Sequence, residues 1–320
     1  MFAPFLFLVV LYQSGFPAIN AFTSLFLQYL YSVQGGLMPP VSSVTVSESN
    51  GLTFLDVDNA FATARISLFG GHILSFAPKS DNKERLWVSP HAYLNGERPI
   101  RGGIPVCWPW FSDDHGREKG ALPSHGFLRN QVWKLISSEE TENGTTVTLS
   151  PSFTRAEGFE NDCSVTMVIA IGETMDVSLI TENTGVAAFD FNCALHTYFH
   201  VDNIQQTVIK GIEGEYKDKL DDWAVKPTPS PYTITGETDR IHLSPIKTAV
   251  VEVNGSGYTE VISQGNDSLV VWNPWQGAAS ISDMDPFGYK HMLCVETSLT
   301  QGKTLAPGDC HILRQTIVPV

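Results

Sequence analysis

From Val44 onward the chain is broken into short runs rich in Val, Thr, Ile and Phe, several alternating apolar with polar, and no segment sustains a helical apolar period over three turns. A period of two puts every second side chain on one face, so such runs bury a face only by pairing into sheets. Val44 to Val46, Thr145 to Leu149, Ser164 to Ile171, Met175 to Ile180, Ala249 to Val253, Leu269 to Trp272 and His311 to Val318 are predicted strands. Between them lie turn signals such as Glu142-Asn143-Gly144 and Asn254-Gly255, whose Asn and Gly accept the left-handed backbone of tight hairpins. The pattern predicts an all-β fold, a sandwich or barrel with functional loops. No repeat or linker interrupts it after residue 40, so one β domain is expected over residues 41–320.

The first 40 residues are of another kind. MFAPFLFLVVLYQSGFPAINAF contains no charged side chain, and the first Lys or Arg of the chain is Arg65. Such an apolar opening suits the core of a signal or targeting leader, although the basic residues that normally precede such a core are missing. Gln13, Ser14, Gly15 and Pro17 interrupt it before the roughly 20 residues a membrane span requires, so no stable span is expected in the mature protein. Residues 1–40 are expected to be a leader or an artefactual extension. A cytoplasmic or plastid location follows after its removal, with entry into the secretory pathway as the alternative. Five cysteines without a CxxC pair read as free thiols of a reducing compartment, and the sequons at Asn143, Asn254 and Asn266 are of a kind that occurs often by chance.

Acidic residues exceed basic ones by 34 to 20, a formal charge of -14, and no stripe of Lys or Arg follows a phosphodiester backbone. Nucleic acid is excluded as an expected partner. A small anion would need a few arginines converging locally, and Arg101 and Arg129 are the candidates.

These two arginines belong to the densest stretch of the chain, RGGIPVCWPWF from Arg101 and LPSHGFLRN from Leu122. Paired glycines, arginines, a histidine and large aromatics suit a ligand pocket better than a core strand or helix. Four further segments place a titratable or hydrogen-bonding group inside an apolar stretch: LHTYFH at Leu195, GETDR at Gly236, VWNPW at Val271 and CVETS at Cys294. His196 ends a predicted strand, where it is either a core histidine satisfied by a carbonyl or an acid-base group working near neutral pH. Glu296 lies among Met292, Leu293 and Val295, where it either alternates onto the wet face or is buried for a purpose.

No HxH, HxxH or HExxH occurs, so no metal is expected; there is no GxSxG, and no glycine-rich loop leads into a helix to suggest a nucleotide. What remains is an acid and a base among arginines and aromatics. Aromatic faces with hydrogen-bonding neighbours commonly hold sugars.

Taken together, GGHILSFAP, LWVSP, PIRGGIPVCWPWF, LPSHGFLRNQVW, LHTYFHV, TDRI, VVWNPW and CVETS resemble, in order and over nearly everything after residue 45, the aldose 1-epimerase superfamily, in particular its hexose-6-phosphate mutarotase branch. The resemblance implies a large β-sandwich of the galactose-mutarotase type. It implies an isomerase that interconverts the anomers of an aldohexose 6-phosphate without metal or organic cofactor, acting on a small molecule and as a monomer. It makes His196 and Glu296 the catalytic pair, gives Asp239 to the sugar hydroxyls and Arg101 and Arg129 to the phosphate, and adds His125 and Ser124 to the substrate site. Relatives often carry glutamine where Ser124 stands, and glycine rather than Ser112 after Phe111; Asp113 and Asp114 follow there. The chemistry fits the residue types: Glu296 as base takes the O1 proton, His196 as acid protonates the ring oxygen, and the roles reverse as the ring closes on the other face of C1. A mutarotase of free hexoses would keep His196 and Glu296 without needing the arginines, and a sugar-binding protein on the same scaffold would need no acid-base pair.

Overall fold

The computed structural model describes residues 41–320; the leader expected over residues 1–40 lies outside the described residues. The strands form three antiparallel sheets. A four-stranded meander runs Val44–Ser49, Leu52–Asp58, Ala62–Ser67 and His72–Pro78. The nine-stranded sheet has the order Tyr232–Thr233, Thr207–Lys210, Thr248–Val253, Ser256–Gln264, Cys310–Pro319, Met175–Asn183, Cys163–Ile171, Gly144–Pro151, Trp133–Thr141. The eight-stranded sheet runs Ala224–Pro227, Glu215–Asp218, Thr238–His242, Ser268–Asn273, Met292–Leu305, Phe189–Leu195, Val106–Cys107, with Tyr198–His200 also paired to Met292–Leu305. Every predicted strand falls inside one of these elements, and the fold is the expected β-sandwich. Helical structure among the described residues is confined to short 3-10 turns, and no helix there is long and apolar enough to cross a membrane.

Period-two burial makes the sandwich. Along Cys163–Ile171 and Met175–Asn183, Val165, Met167, Ile169, Met175, Val177 and Leu179 point inward, and share one core with Phe189, Phe191, Leu195, Val271, Leu293 and Val295 of the eight-stranded sheet. Each such side chain taken from water contributes roughly 1.5–3 kcal/mol. The turns are the predicted ones: Asn254 and Gly255, at positive φ of 56° and 75°, close the hairpin in which Val253 pairs with Ser256.

Met292–Leu305 departs from alternation, since its first eight residues are all buried. Leu293 and Val295 face the sandwich core, while Met292 and Cys294 pack with Trp87, Tyr198, Ala278 and Met284 on the other side. Both faces of this strand are therefore covered, which removes the wet-face alternative for Glu296.

The run after Arg101 needs correction. Its residue types suit a pocket better than a core, yet within it Val106–Cys107 is a fully buried strand paired to Ala194 and Leu195, and Trp108 and Trp110 are core residues. Their indole N–H groups are satisfied inside, Trp108 Nε1 by Thr181 Oγ1 at 3.1 Å and Trp110 Nε1 by the Pro123 carbonyl at 2.8 Å, so burial leaves no polar atom stranded. The paired glycines serve close approach: both have positive φ, and a Cβ on either would collide with backbone carbonyls, that of Trp87 for Gly102 and that of Ile73 for Gly103.

Candidate active site

Because Val106–Cys107 pairs with the end of Phe189–Leu195, the loop beside it fixes the residue that follows that strand. The His196 N–H donates to the Pro105 carbonyl at 3.0 Å and the Tyr198 N–H to that of Gly103 at 2.9 Å. The His196 imidazole stacks on Tyr198, with ring centres 5.0 Å apart and planes at 12°, and meets His125 and Trp272 edge-on at 5.4 and 6.1 Å. Glu296 arrives on the neighbouring strand, where Leu195 pairs with Thr297.

His196 Nδ1 and Glu296 Oε1 lie 3.3 Å apart, without hydrogen-bond alignment. His196 is 8% exposed and Glu296 1%, and both His196 Nδ1 and Glu296 Oε2 are buried atoms with no protein hydrogen-bond partner. Stranding such groups inside a fold costs stability. Burial, reinforced by the nearby Asp239 carboxylate, pushes the Glu296 pKa well above the ordinary carboxylate value. Burial, then the cations Arg129 and Arg101, hold His196 well below the ordinary imidazole value. Both shifts favour the uncharged form of the pair.

The two line a cleft of about 140 Å³ with Arg101, Phe111, His125, Tyr198, Lys219, Asp239, Val270 and Trp272. Five of the seven residues singled out from sequence meet here: Arg101, His125, His196, Asp239 and Glu296. Arg101 is already engaged, its Nε 3.1 Å from Asp283 Oδ1 and its Nη1 donating to Tyr198 Oη at 3.0 Å. His125 accepts from the Ser112 N–H at Nδ1, 3.2 Å away, which leaves Nε2 as the protonated nitrogen of its neutral ring. Burial and the Arg129 charge keep that ring neutral. Asp239 is paired with Lys219 at 2.8 Å.

Arg129 and Ser124 are not among the residues lining this cleft. Ser124 contributes through its backbone: its carbonyl accepts from Arg129 Nη2 at 2.8 Å. Arg129 forms no ion pair among the described residues, and its buried Nε has no partner. Its charge nevertheless acts on His196, His125 and Glu296, so it is an uncompensated cation at the edge of the site. Lys219 and Asp283 were not anticipated. Lys219 carries no motif and joins the site only through strand pairing, its N–H donating to the Asp239 carbonyl at 3.0 Å. Asp283 comes from a loop tied down by Asn273, whose Nδ2 donates to the carbonyls of Tyr289 and Met292 at 2.9 and 2.8 Å.

The aldose 1-epimerase family model matches residues 54–317. A protein of Escherichia coli (strain K12) named "Putative glucose-6-phosphate 1-epimerase" is 34% identical over 254 residues, covering 77% of this chain and 83% of the relative. One of Cenchrus ciliaris with the same name is 31% identical over 268 residues, covering 77% and 78%. Among solved structures, a protein of Salmonella typhimurium titled "putative mutarotase (YeaD)" superposes with a TM-score of 0.79 at 26% identity, covering 91% of this chain and 98% of that one. With the all-β sandwich and a cleft holding an imidazole beside a carboxyl group, these likenesses show that the chain belongs to the aldose 1-epimerase family.

Proposed function

We propose that this member of the family is a hexose-6-phosphate 1-epimerase, acting on glucose 6-phosphate, with His196 and Glu296 as its acid-base pair and residues 41–320 as its catalytic domain. The observation that carries the reading is the 3.3 Å approach of His196 and Glu296 on the floor of the cleft, each with a buried polar atom left unpartnered. Anomer exchange needs one group to take the O1 proton and another to protonate the ring oxygen. Positioned acid-base groups contribute about 10²- to 10⁴-fold each to such transfers. In this reading Asp239 and His125 meet sugar hydroxyls and Trp272, Tyr198 and Phe111 cover C–H faces, and all five line the cleft.

The phosphate specificity rests on Arg129 and on the names of the relatives. Arg101 has Asp283 to balance it; Arg129 has no carboxylate partner and suits an incoming dianion. The same contact sets the proton balance. Glu296 as base and His196 as acid require the charge-separated form of the pair, which holds as many protons as the uncharged form. A phosphate dianion beside Arg129 cancels part of the field that keeps His196 down, and so favours moving the proton from Glu296 to His196. The phosphate is then both a handle and a switch for the acid.

The test is anomer exchange by magnetisation-transfer NMR on glucose 6-phosphate and glucose, in the wild type and in Arg129→Ala. Faster exchange for the phosphate that the substitution abolishes is expected. Equal acceleration of both sugars would identify an epimerase of free hexoses, and exchange no faster than in buffer would remove the catalytic reading.

A further inference from the structure

The alternation that brings Glu296 to the cleft floor also brings Cys294, two residues earlier on the same face of Met292–Leu305. The nearest ligand atoms of His196, Cys294 and Glu296 all lie within 4.8 Å of one another, and all three residues are buried. Ligand atoms around a tetrahedral zinc, at about 2.0–2.3 Å from the metal, stand roughly 3.3–3.8 Å apart. The 3.3 Å between His196 Nδ1 and Glu296 Oε1 is already such an edge, and the Cys294 thiol lies within 4.8 Å of both groups. Imidazole, thiolate and carboxylate together are a donor set that zinc takes readily. The second observation is independent of the spacing: His196 Nδ1 and Glu296 Oε2 are buried without a partner.

We infer that His196, Cys294 and Glu296 form a zinc-binding site that shares its ligands with the catalytic pair, so that bound Zn²⁺ and sugar turnover exclude each other. Sequence scanning for metal motifs passes over it because the ligands come from two strands about a hundred residues apart and meet only through the pairing of Leu195 with Thr297. The cation is an inhibitor and not a cofactor, since coordination occupies the lone pairs with which His196 and Glu296 would handle protons. Three protein ligands leave a fourth position open to water from the cleft. The inhibitory part of this inference rests on the function proposed above; the binding part does not.

Two measurements separate these parts. Equilibrium dialysis of the full chain against Zn²⁺, with Cys294→Ser and, as a control for the exposed thiol, Cys310→Ser, reads binding directly. Co²⁺ substitution reads the ligand, because thiolate coordination gives an intense charge-transfer band. One Zn²⁺ per chain in the wild type and in Cys310→Ser, with affinity at least tenfold weaker in Cys294→Ser and no charge-transfer band there, is the expected result. In anomer exchange, with each protein's metal-free rate as its own reference, Cys294→Ser should tolerate at least tenfold more Zn²⁺ than the wild type. Unchanged zinc affinity in Cys294→Ser, or a wild-type cobalt complex without the thiolate band, would overturn the site. If that variant does not fold, the wild-type cobalt spectrum and protection of the band's formation by substrate still decide. A chain that binds zinc through Cys294 but exchanges no anomers would retain the site and refute the proposed activity alone.

Discussion

Thr197 and Thr297, the residues immediately after His196 and Glu296, are tied to a single side chain: Thr197 Oγ1 donates to Gln315 Oε1 at 2.5 Å and Gln315 Nε2 donates to Thr297 Oγ1 at 2.8 Å. Gln315 belongs to Cys310–Pro319 of the opposite sheet, so the pairing of the two sheets sets the spacing of His196 and Glu296. Gln315 Nε2 also reaches the Val295 carbonyl at 3.3 Å, and Ser263 Oγ closes the group against Thr297 Oγ1 at 2.7 Å. All four side chains are buried, so the network is satisfied internally or not at all.

Gln315→Leu tests this positioning role. It takes the Gln315 partner from two buried hydroxyls, leaving Thr297 Oγ1 with Ser263 Oγ and Thr197 Oγ1 with only a 3.5 Å contact to the Leu195 carbonyl, at a cost of about 1–3 kcal/mol, and loosens the geometry of the pair. We expect a lower melting temperature and a fall in kcat of roughly tenfold, equivalent to about 1.4 kcal/mol, with KM nearly unchanged because Gln315 does not line the cleft. A variant that loses stability but keeps the wild-type kcat would show that the network supports the fold and not the pair.

Glu296→Gln should leave sugar binding intact and lower kcat by about 10²- to 10⁴-fold, with His196→Asn similar. The double variant should be little worse than either single one, since removing one partner already disables proton transfer. Unchanged turnover in Glu296→Gln would exclude it as the base.

The same substitution has a stability consequence of definite sign. The Glu296 pKa is raised in the folded protein, so above its ordinary value of 4.5 the unfolded chain releases a proton that the folded chain keeps. This lowers stability progressively as pH rises from 4.5 towards the folded pKa. Glutamine has no such penalty, so Glu296→Gln should melt higher than the wild type at neutral pH, by a margin that shrinks as pH is lowered towards 4.5. Thermal melts across pH check this; a margin independent of pH would mean that Glu296 is ionised in the folded protein.

How far the sequence could have led to this site depends on what surrounds each residue. Cys163–Ile171 and Met175–Asn183 were legible because one face meets the core and the other does not, which is the condition for alternation. Met292–Leu305 is covered on both faces, so its sequence left the side of Glu296 open. Trp108 and Trp110 were misread because their indole N–H partners, Thr181 Oγ1 and the Pro123 carbonyl, are invisible until the chain is folded. The family motifs brought out His196, Glu296, Asp239, His125 and the arginines, whereas Asp283, 182 residues from Arg101, has no local signal at all. Ser124 illustrates a different limit: a motif position was legible, but its use of the backbone carbonyl to hold Arg129 was not.

Arg129 gives the last prediction, and the one that joins binding to chemistry. Burial pushes its pKa below the ordinary guanidinium value, which marks a cation held without enough compensation. Inorganic phosphate should therefore raise the melting temperature of the wild type, by an amount corresponding to about 2.7 kcal/mol at a hundred times its dissociation constant, and should do so much less in Arg129→Met. Without phosphate, Arg129→Met should melt no lower than the wild type, because it removes a half-buried charge that has no ion-pair partner. The same cation depresses His196, so the His196 pKa should rise on phosphate binding and in Arg129→Met alike. Imidazole resonances followed by NMR across pH read this directly: with phosphate the His196 titration should move up towards the ordinary value of 6.5. A His196 titration indifferent to phosphate would separate the handle from the switch, leaving Arg129 to affect KM but not the protonation of the acid.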